Sequence, residues 1–200
     1  MAARERSRAW TSAMTEFDYL SVLISIVLGL GLSHVMATAA QLVRFRAAVK
    51  FYTPALLWLA LLFFLHVQIW WAVFELRDVP EWTFGNFVLV LAIPAVVYVI
   101  SVLLSPDFDR EERIDLRASY FAHRRWFFGL LALLPILSLA QEYAISGHIQ
   151  LDPDPLFRLA FLALALVGLG SANERLHRVL AIVTIVIFAT YVGMLFLELS

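Results

Sequence analysis

The sequence contains no cysteine, and this absence excludes several kinds of site. A chain without thiols forms no disulfide bond, holds no thiolate-ligated iron–sulfur cluster and builds no zinc knuckle. Common enzyme signatures are missing as well, because there is no H-E-x-x-H, no G-x-S-x-G and no P-loop. The sequence therefore gives no catalytic residue and no metal site, and it favours a protein that is not an enzyme.

Charge is also scarce. Only 16% of the residues are charged, the net charge is -1, and 62% of the residues are hydrophobic. Soluble domains are roughly 45–50% apolar. No basic face lies outside the short loops, so we expect no nucleic-acid partner. A chain this apolar needs a lipid bilayer around most of its surface, and we predict an integral membrane protein.

Apolar runs dominate what remains. About 20 residues of helix cross the hydrocarbon core of a bilayer. Runs of this order predict an all-α transmembrane bundle with six spans, at 19–43, 54–76, 84–105, 126–144, 155–172 and 176–198. The fifth run is the shortest, so the alternative is five spans with this helix at the surface. Residues 1–17 form a polar extension in which Met14 is a second candidate start, and residues 18–200 form one transmembrane domain.

Lysine and arginine are divided unequally between the two sets of loops. Ten of the 15 basic residues lie in the loops 44–53 and 106–125 and between the last two predicted helices. Cytoplasmic loops collect basic residues. These loops are therefore predicted to face the cytoplasm, with both termini outside, in the inner (plasma) membrane of a bacterium.

Two histidines lie near the centres of the first two predicted spans. By the helical rise, His34 and His66 both fall within about 5 Å of the bilayer midplane. Ionisable groups at this depth are costly and often functional. The pair suits a proton relay, a metal site that lacks a third ligand, or axial ligation of haem b. In the alternative interpretation, each neutral imidazole bonds a neighbouring polar group and fixes helix packing.

The second span presents an aromatic and polar face that is a candidate pocket. Phe63, His66 and Trp70 recur at helical spacing, with Gln68 beside them and Ser33 on the first span. Such a face suits a flat apolar ligand, for example a quinone or haem. Ordinary side-chain packing, or an interfacial aromatic belt, explains the same pattern.

The first span carries a small residue at every fourth position. This stripe predicts a face against which another helix packs closely in lipid. Its members are Ser21, Ser25, Gly29, Ser33 and Ala37.

Acidic residues collect at the predicted outer ends of the helices. Glu75, Glu142 and Arg158 form a predicted outer charged cluster, in which Glu142 and Arg158 suit an ion pair. An acidic mouth concentrates cations. The simpler interpretation is that these acids are solvated and lie outside because basic residues are retained inside.

Three classes of function fit these features. The leading hypothesis is a small transporter or channel-like protein for protons, cations or a small solute, with His34 and His66 as midplane groups. The second is a non-catalytic membrane subunit or sensor that docks a soluble partner through the cytoplasmic loop 106–125. The third is a haem- or quinone-binding redox protein. The small-residue face favours a homo-oligomer or a subunit of a membrane complex.

Overall fold

A computed structural model describes residues 15–79, 81–108, 113–149 and 154–198, and these residues are almost entirely helical. The candidate start at Met14 lies outside the described residues. The six helices are α1 (Glu16–Arg44), α2 (Thr53–Ala72), α3 (Phe84–Leu104), α4 (Leu116–Ser146), α5 (Asp154–Gly170) and α6 (Glu174–Glu198). A 3-10 helix, Val73–Asp78, continues α2. Consecutive helices contact each other, as do α1 with α3 and α2 with α6.

Five of these helices are long and apolar enough to cross a membrane, namely all but α5. The prediction of an all-α membrane helix bundle is confirmed. Helix α5 has 17 residues, which at the helical rise is about 25 Å. It nevertheless packs within the bundle, because it contacts α4 and α6 and buries Ala165 and Gly168.

Helix α4 begins ten residues before the predicted position 126. The Asp115 carboxylate caps it by accepting hydrogen bonds from the backbone N–H groups of Arg117 and Ala118, each at 3.0 Å. Leu116 and Tyr120 then anchor this first segment by burial. The prediction that 106–125 is one loop is therefore wrong for residues 116–125, and the proposed docking segment shortens accordingly.

A two-residue parallel sheet joins two of the connections between helices. Strand β1 (Val49–Lys50) pairs with β2 (Ile114–Asp115), with Val49 opposite Ile114. Both of these apolar residues are buried, and the Lys50 Nζ atom lies 2.9 Å from the Asp115 carboxylate. We call this end of the bundle the sheet end. The opposite end, with Glu16, the 3-10 helix and the α4–α5 connection, is the N-terminal end.

Helix α1 packs through a different face from the one expected. Its buried residues are Leu20, Ile24, Leu28, Gly31, Val35, Thr38 and Leu42, spaced by three or four. The small-residue stripe is turned away, with Ser21 half-buried and Ser25, Gly29, Ser33 and Ala37 exposed. Large apolar side chains bury more surface than small ones. The stripe is thus not a packing face inside the described chain, and its contact with another chain stays a prediction.

Candidate functional site

His66 is buried between α1 and α2. Its Nδ1 atom lies 2.7 Å from the Leu62 carbonyl oxygen. A carbonyl only accepts, so Nδ1 carries the proton and Nε2 is an acceptor. Nε2 has no hydrogen-bond partner among the described residues. It faces Gly31 of α1, where a Cβ atom would overlap the imidazole, so glycine is what allows the two helices to approach.

His34 turns instead toward the sheet end of α3. Its Nε2 atom lies 2.9 Å from the Ser105 hydroxyl, which is 2.5 Å from the Thr38 hydroxyl. Thr38 in turn donates to the His34 carbonyl at 3.0 Å. These bonds fasten α1 to the C-terminal cap of α3.

The two predicted midplane histidines are therefore held by different partners. The Nε2 atom of His34 is engaged by Ser105, and that of His66 is enclosed against Gly31. Axial ligation of haem needs an imidazole nitrogen open to iron on each ligand. The described residues do not arrange this pair for haem b, and the bonds that they make fix the positions of α1, α2 and α3.

A third histidine, which the sequence pattern did not single out, is completely buried. His177, in the first turns of α6, donates from Nε2 to the Ser171 carbonyl at 2.8 Å and accepts at Nδ1 from the Tyr120 hydroxyl at 2.9 Å. Phe121 and Phe128 enclose it, each ring centroid 5.2 Å away. His177, Leu180, Ala181 and Thr184 are all buried at helical spacing, a periodicity that could have revealed the burial. Both nitrogens are bonded, so this histidine fixes the α4–α6 contact.

A cavity of about 310 Å³ lies among all six helices, nearer the N-terminal end than the sheet end. Trp58, Leu131 and Ala165 lie at its inner limit. Aliphatic and aromatic side chains form the walls, among them Leu65, Ile69, Phe157, Phe161 and Phe188. This composition is typical of a site that binds a small, mainly apolar molecule.

Polar residues line the cavity toward the N-terminal end, which we call the mouth. They are Gln68, Glu75, Ser138, Gln141, Asp154, Arg158 and Tyr191. The Arg158 guanidinium donates to the Glu142 carboxylate and, at 2.7 Å, to the Asp154 carboxylate. The side chain of Arg158 is only 20% exposed. Its single positive charge is thus balanced by two carboxylates.

Glu75 lies at the same mouth but is exposed and makes no ion pair within the described part of the chain. It is near enough to Asp154 and Arg158 to interact electrostatically with both. The structure thus brings the three members of the predicted outer charged cluster to one place. Glu142 and Arg158 are bonded there, and Glu75 is available to another group.

Only one of the predicted pocket residues, Gln68, lines the cavity. Trp70 is 45% exposed and stacks on Phe74, with 5.4 Å between ring centroids. Ser33 is exposed, and Phe63 packs beside Phe64. The face of α2 that meets the cavity instead carries Trp58, Leu61, Leu65, Gln68 and Ala72. Residue spacing defines faces of a helix, but neighbouring helices decide which face turns inward.

Two prolines inside helices also line the cavity, Pro94 of α3 and Pro135 of α4. Proline has no N–H, so the carbonyl four residues earlier loses its helical donor. Those carbonyls belong to Val90 and Leu131, and both residues line the cavity. The wall therefore includes backbone acceptors that the helices themselves do not satisfy.

Comparisons of the chain with protein-family models, with curated proteins and with solved structures found no match.

Proposed function

We propose that the protein is a small membrane carrier that binds a small organic solute in the cavity between its six helices. One observation carries this proposal: every helix contributes to the wall of a cavity that has apolar sides and a polar mouth. Its volume lies at the lower end of the roughly 300–1,000 Å³ range of ligand sites. Because all six helices touch the same space, an occupant acts on their relative positions. Pro94 and Pro135 supply places where α3 and α4 can bend.

In this proposal the N-terminal end faces the outside and the sheet end faces the cytoplasm of a bacterial cell. The excess of lysine and arginine at the sheet end supports this orientation. The exposed small-residue stripe on α1 supports association of two copies. His34 and His66 do not line the cavity, so here they hold helices in place rather than contact the solute.

Blocking the cavity tests the proposal. Ala165 lines it, whereas Ala163 on the same helix is exposed, so Ala165→Phe fills the site and Ala163→Phe is a matched control. We would measure binding of phenyltrimethylammonium, tert-butylbenzene and phenylacetate, which are similar in size but differ in charge, to each protein in lipid nanodiscs. A probe that binds would then be followed for uptake into proteoliposomes.

We expect wild type and Ala163→Phe to bind at least one probe and to carry that probe into proteoliposomes faster than protein-free liposomes take it up. Ala165→Phe should lose both properties. Ala72→Phe, at another wall of the cavity, repeats the test if Ala165→Phe folds poorly. The proposal is wrong if no probe binds, or if both cavity-filling variants bind as wild type does.

A further inference from the structure

We infer that the solute is an organic monocation, whose charge Glu75 recognises at the mouth and whose body the aromatic walls hold. This inference rests on the proposed function and specifies the chemical class that the cavity selects. It follows from three observations: the charge at the mouth, the aromatic wall and the unsatisfied carbonyls.

The charge at the mouth is negative. Among the described side chains there, Glu75, Glu142 and Asp154 are opposed by one cation, Arg158. Arg158 is engaged by both Glu142 and Asp154, so its guanidinium is not open to an anionic solute. Glu75 keeps a carboxylate that no ion pair in the described residues uses. The mouth therefore attracts a cation and repels an anion.

The walls suit a cation with an apolar body. Trp58, Phe157, Phe161, Phe188 and Tyr191 all line the cavity. The face of an aromatic ring attracts a cation, and quaternary ammonium groups are commonly bound in this way. The ring of Tyr191 lies 5.3 Å from that of Phe157. Two of these aromatic side chains thus lie together on the α5 and α6 walls.

The backbone adds acceptors rather than donors. The carbonyls of Val90 and Leu131 lose their helical N–H partners to Pro94 and Pro135. In a membrane-embedded site, such carbonyls gain from any donor or positive charge that comes near. An anionic solute finds no comparable gain, because the Arg158 charge is already balanced.

The charge preference can be measured with two probes of nearly identical shape. Phenyltrimethylammonium is permanently positive, and tert-butylbenzene is its neutral counterpart. Binding of the tritiated cation to the full-length protein in nanodiscs of neutral lipid is followed by scintillation proximity, with tert-butylbenzene and phenylacetate as competitors. We expect the cation to bind at least about fivefold more tightly than the neutral probe, and phenylacetate not to compete.

Glu75→Gln should remove the preference for the cation, by about fivefold, while leaving the affinity for tert-butylbenzene unchanged. That unchanged affinity also shows that the variant is folded. Glu81→Gln is the matched control, because Glu81 is exposed in the turn before α3 and does not line the cavity. It should bind both probes as wild type does.

The inference is overturned if the neutral or anionic probe binds best, or if the cation preference survives Glu75→Gln. In either case a solute still occupies the cavity, so the proposed carrier function stands. Loss of all binding in wild type, or binding that Ala165→Phe does not affect, overturns the inference and the proposed function together.

Discussion

Glycine is required at one position of α1 and not at another only two residues away. A Cβ atom at Gly31 would overlap the His66 imidazole, whereas a Cβ atom at Gly29 meets nothing within 4 Å. Crowding of a well-packed interface costs about 1–3 kcal/mol. We therefore expect Gly31→Ala to lower the thermal midpoint of the detergent-solubilised protein, and Gly29→Ala to leave it unchanged or raise it slightly.

A double substitution shows whether His66 causes this effect. His66→Ala is itself destabilising because it leaves a cavity. In that background the cost of Gly31→Ala should shrink, since the overlapping imidazole is gone. Such non-additivity is the expected sign of direct contact. Equal midpoints for Gly31→Ala and Gly29→Ala, or strict additivity with His66→Ala, would contradict the arrangement.

At the residue scale, the sequence could predict pairs that a short connection brings together. Glu142 and Arg158 lie near the ends of consecutive helices, and their opposite charges were sufficient to suggest the bond that the structure has. His34 and His66 were harder, because depth along a helix says nothing about rotation around it. Each turned toward a different neighbour, one to Ser105 and the other to Gly31.

At the element scale, the start of α4 depends on one carboxylate. Asp115 accepts two backbone N–H bonds and pairs with Lys50 of β1. The Lys50 ammonium, together with the backbone donors, holds the pKa of Asp115 below its usual value. A carboxylate with a lowered folded-state pKa stabilises the fold above its unfolded pKa, and this contribution is lost as pH falls through the folded value. For Asp115 that loss falls below about pH 4.

This predicts how substitutions at Asp115 behave. Asp115→Ala should lower stability by about 1 kcal/mol at pH 6 through loss of the cap. Asp115→Asn keeps a capping oxygen but loses the ion pair, which is exposed and contributes little. Its small deficit relative to wild type, measured as a difference in thermal midpoint, should disappear between pH 6 and pH 3. A deficit that stays constant or grows toward pH 3 would refute this role.

The elements also show what hydropathy records and what it leaves out. Long apolar runs gave the number and approximate bounds of the helices, because a membrane helix must satisfy its own backbone. The first ten residues of α4 were missed since they are polar and lie before the apolar run. Their helical state comes from the Asp115 cap and from buried Tyr120, which are local and tertiary features that a hydropathy scan does not measure.

At the scale of the whole molecule, the two ends differ in a way that matches the proposed function. The sheet end is tied together by the β1–β2 pair and by the bonds of His34 and His177. The N-terminal end contains the cavity and its acidic mouth. A carrier needs one end that holds the helices together while a solute enters at the other, and the division of bonds in this chain suits that arrangement.

The absence of cysteine makes the orientation of the molecule directly measurable. His148 is exposed at the N-terminal end and Arg46 is exposed at the sheet end, so His148→Cys and Arg46→Cys each introduce a single thiol. If basic residues hold the sheet end in the cytoplasm, a membrane-impermeant maleimide should label Cys at position 148 in intact cells. It should label position 46 only after permeabilisation. Both thiols must react in detergent, which controls for accessibility. The reverse pattern in intact cells would invert the molecule and place the acidic mouth in the cytoplasm.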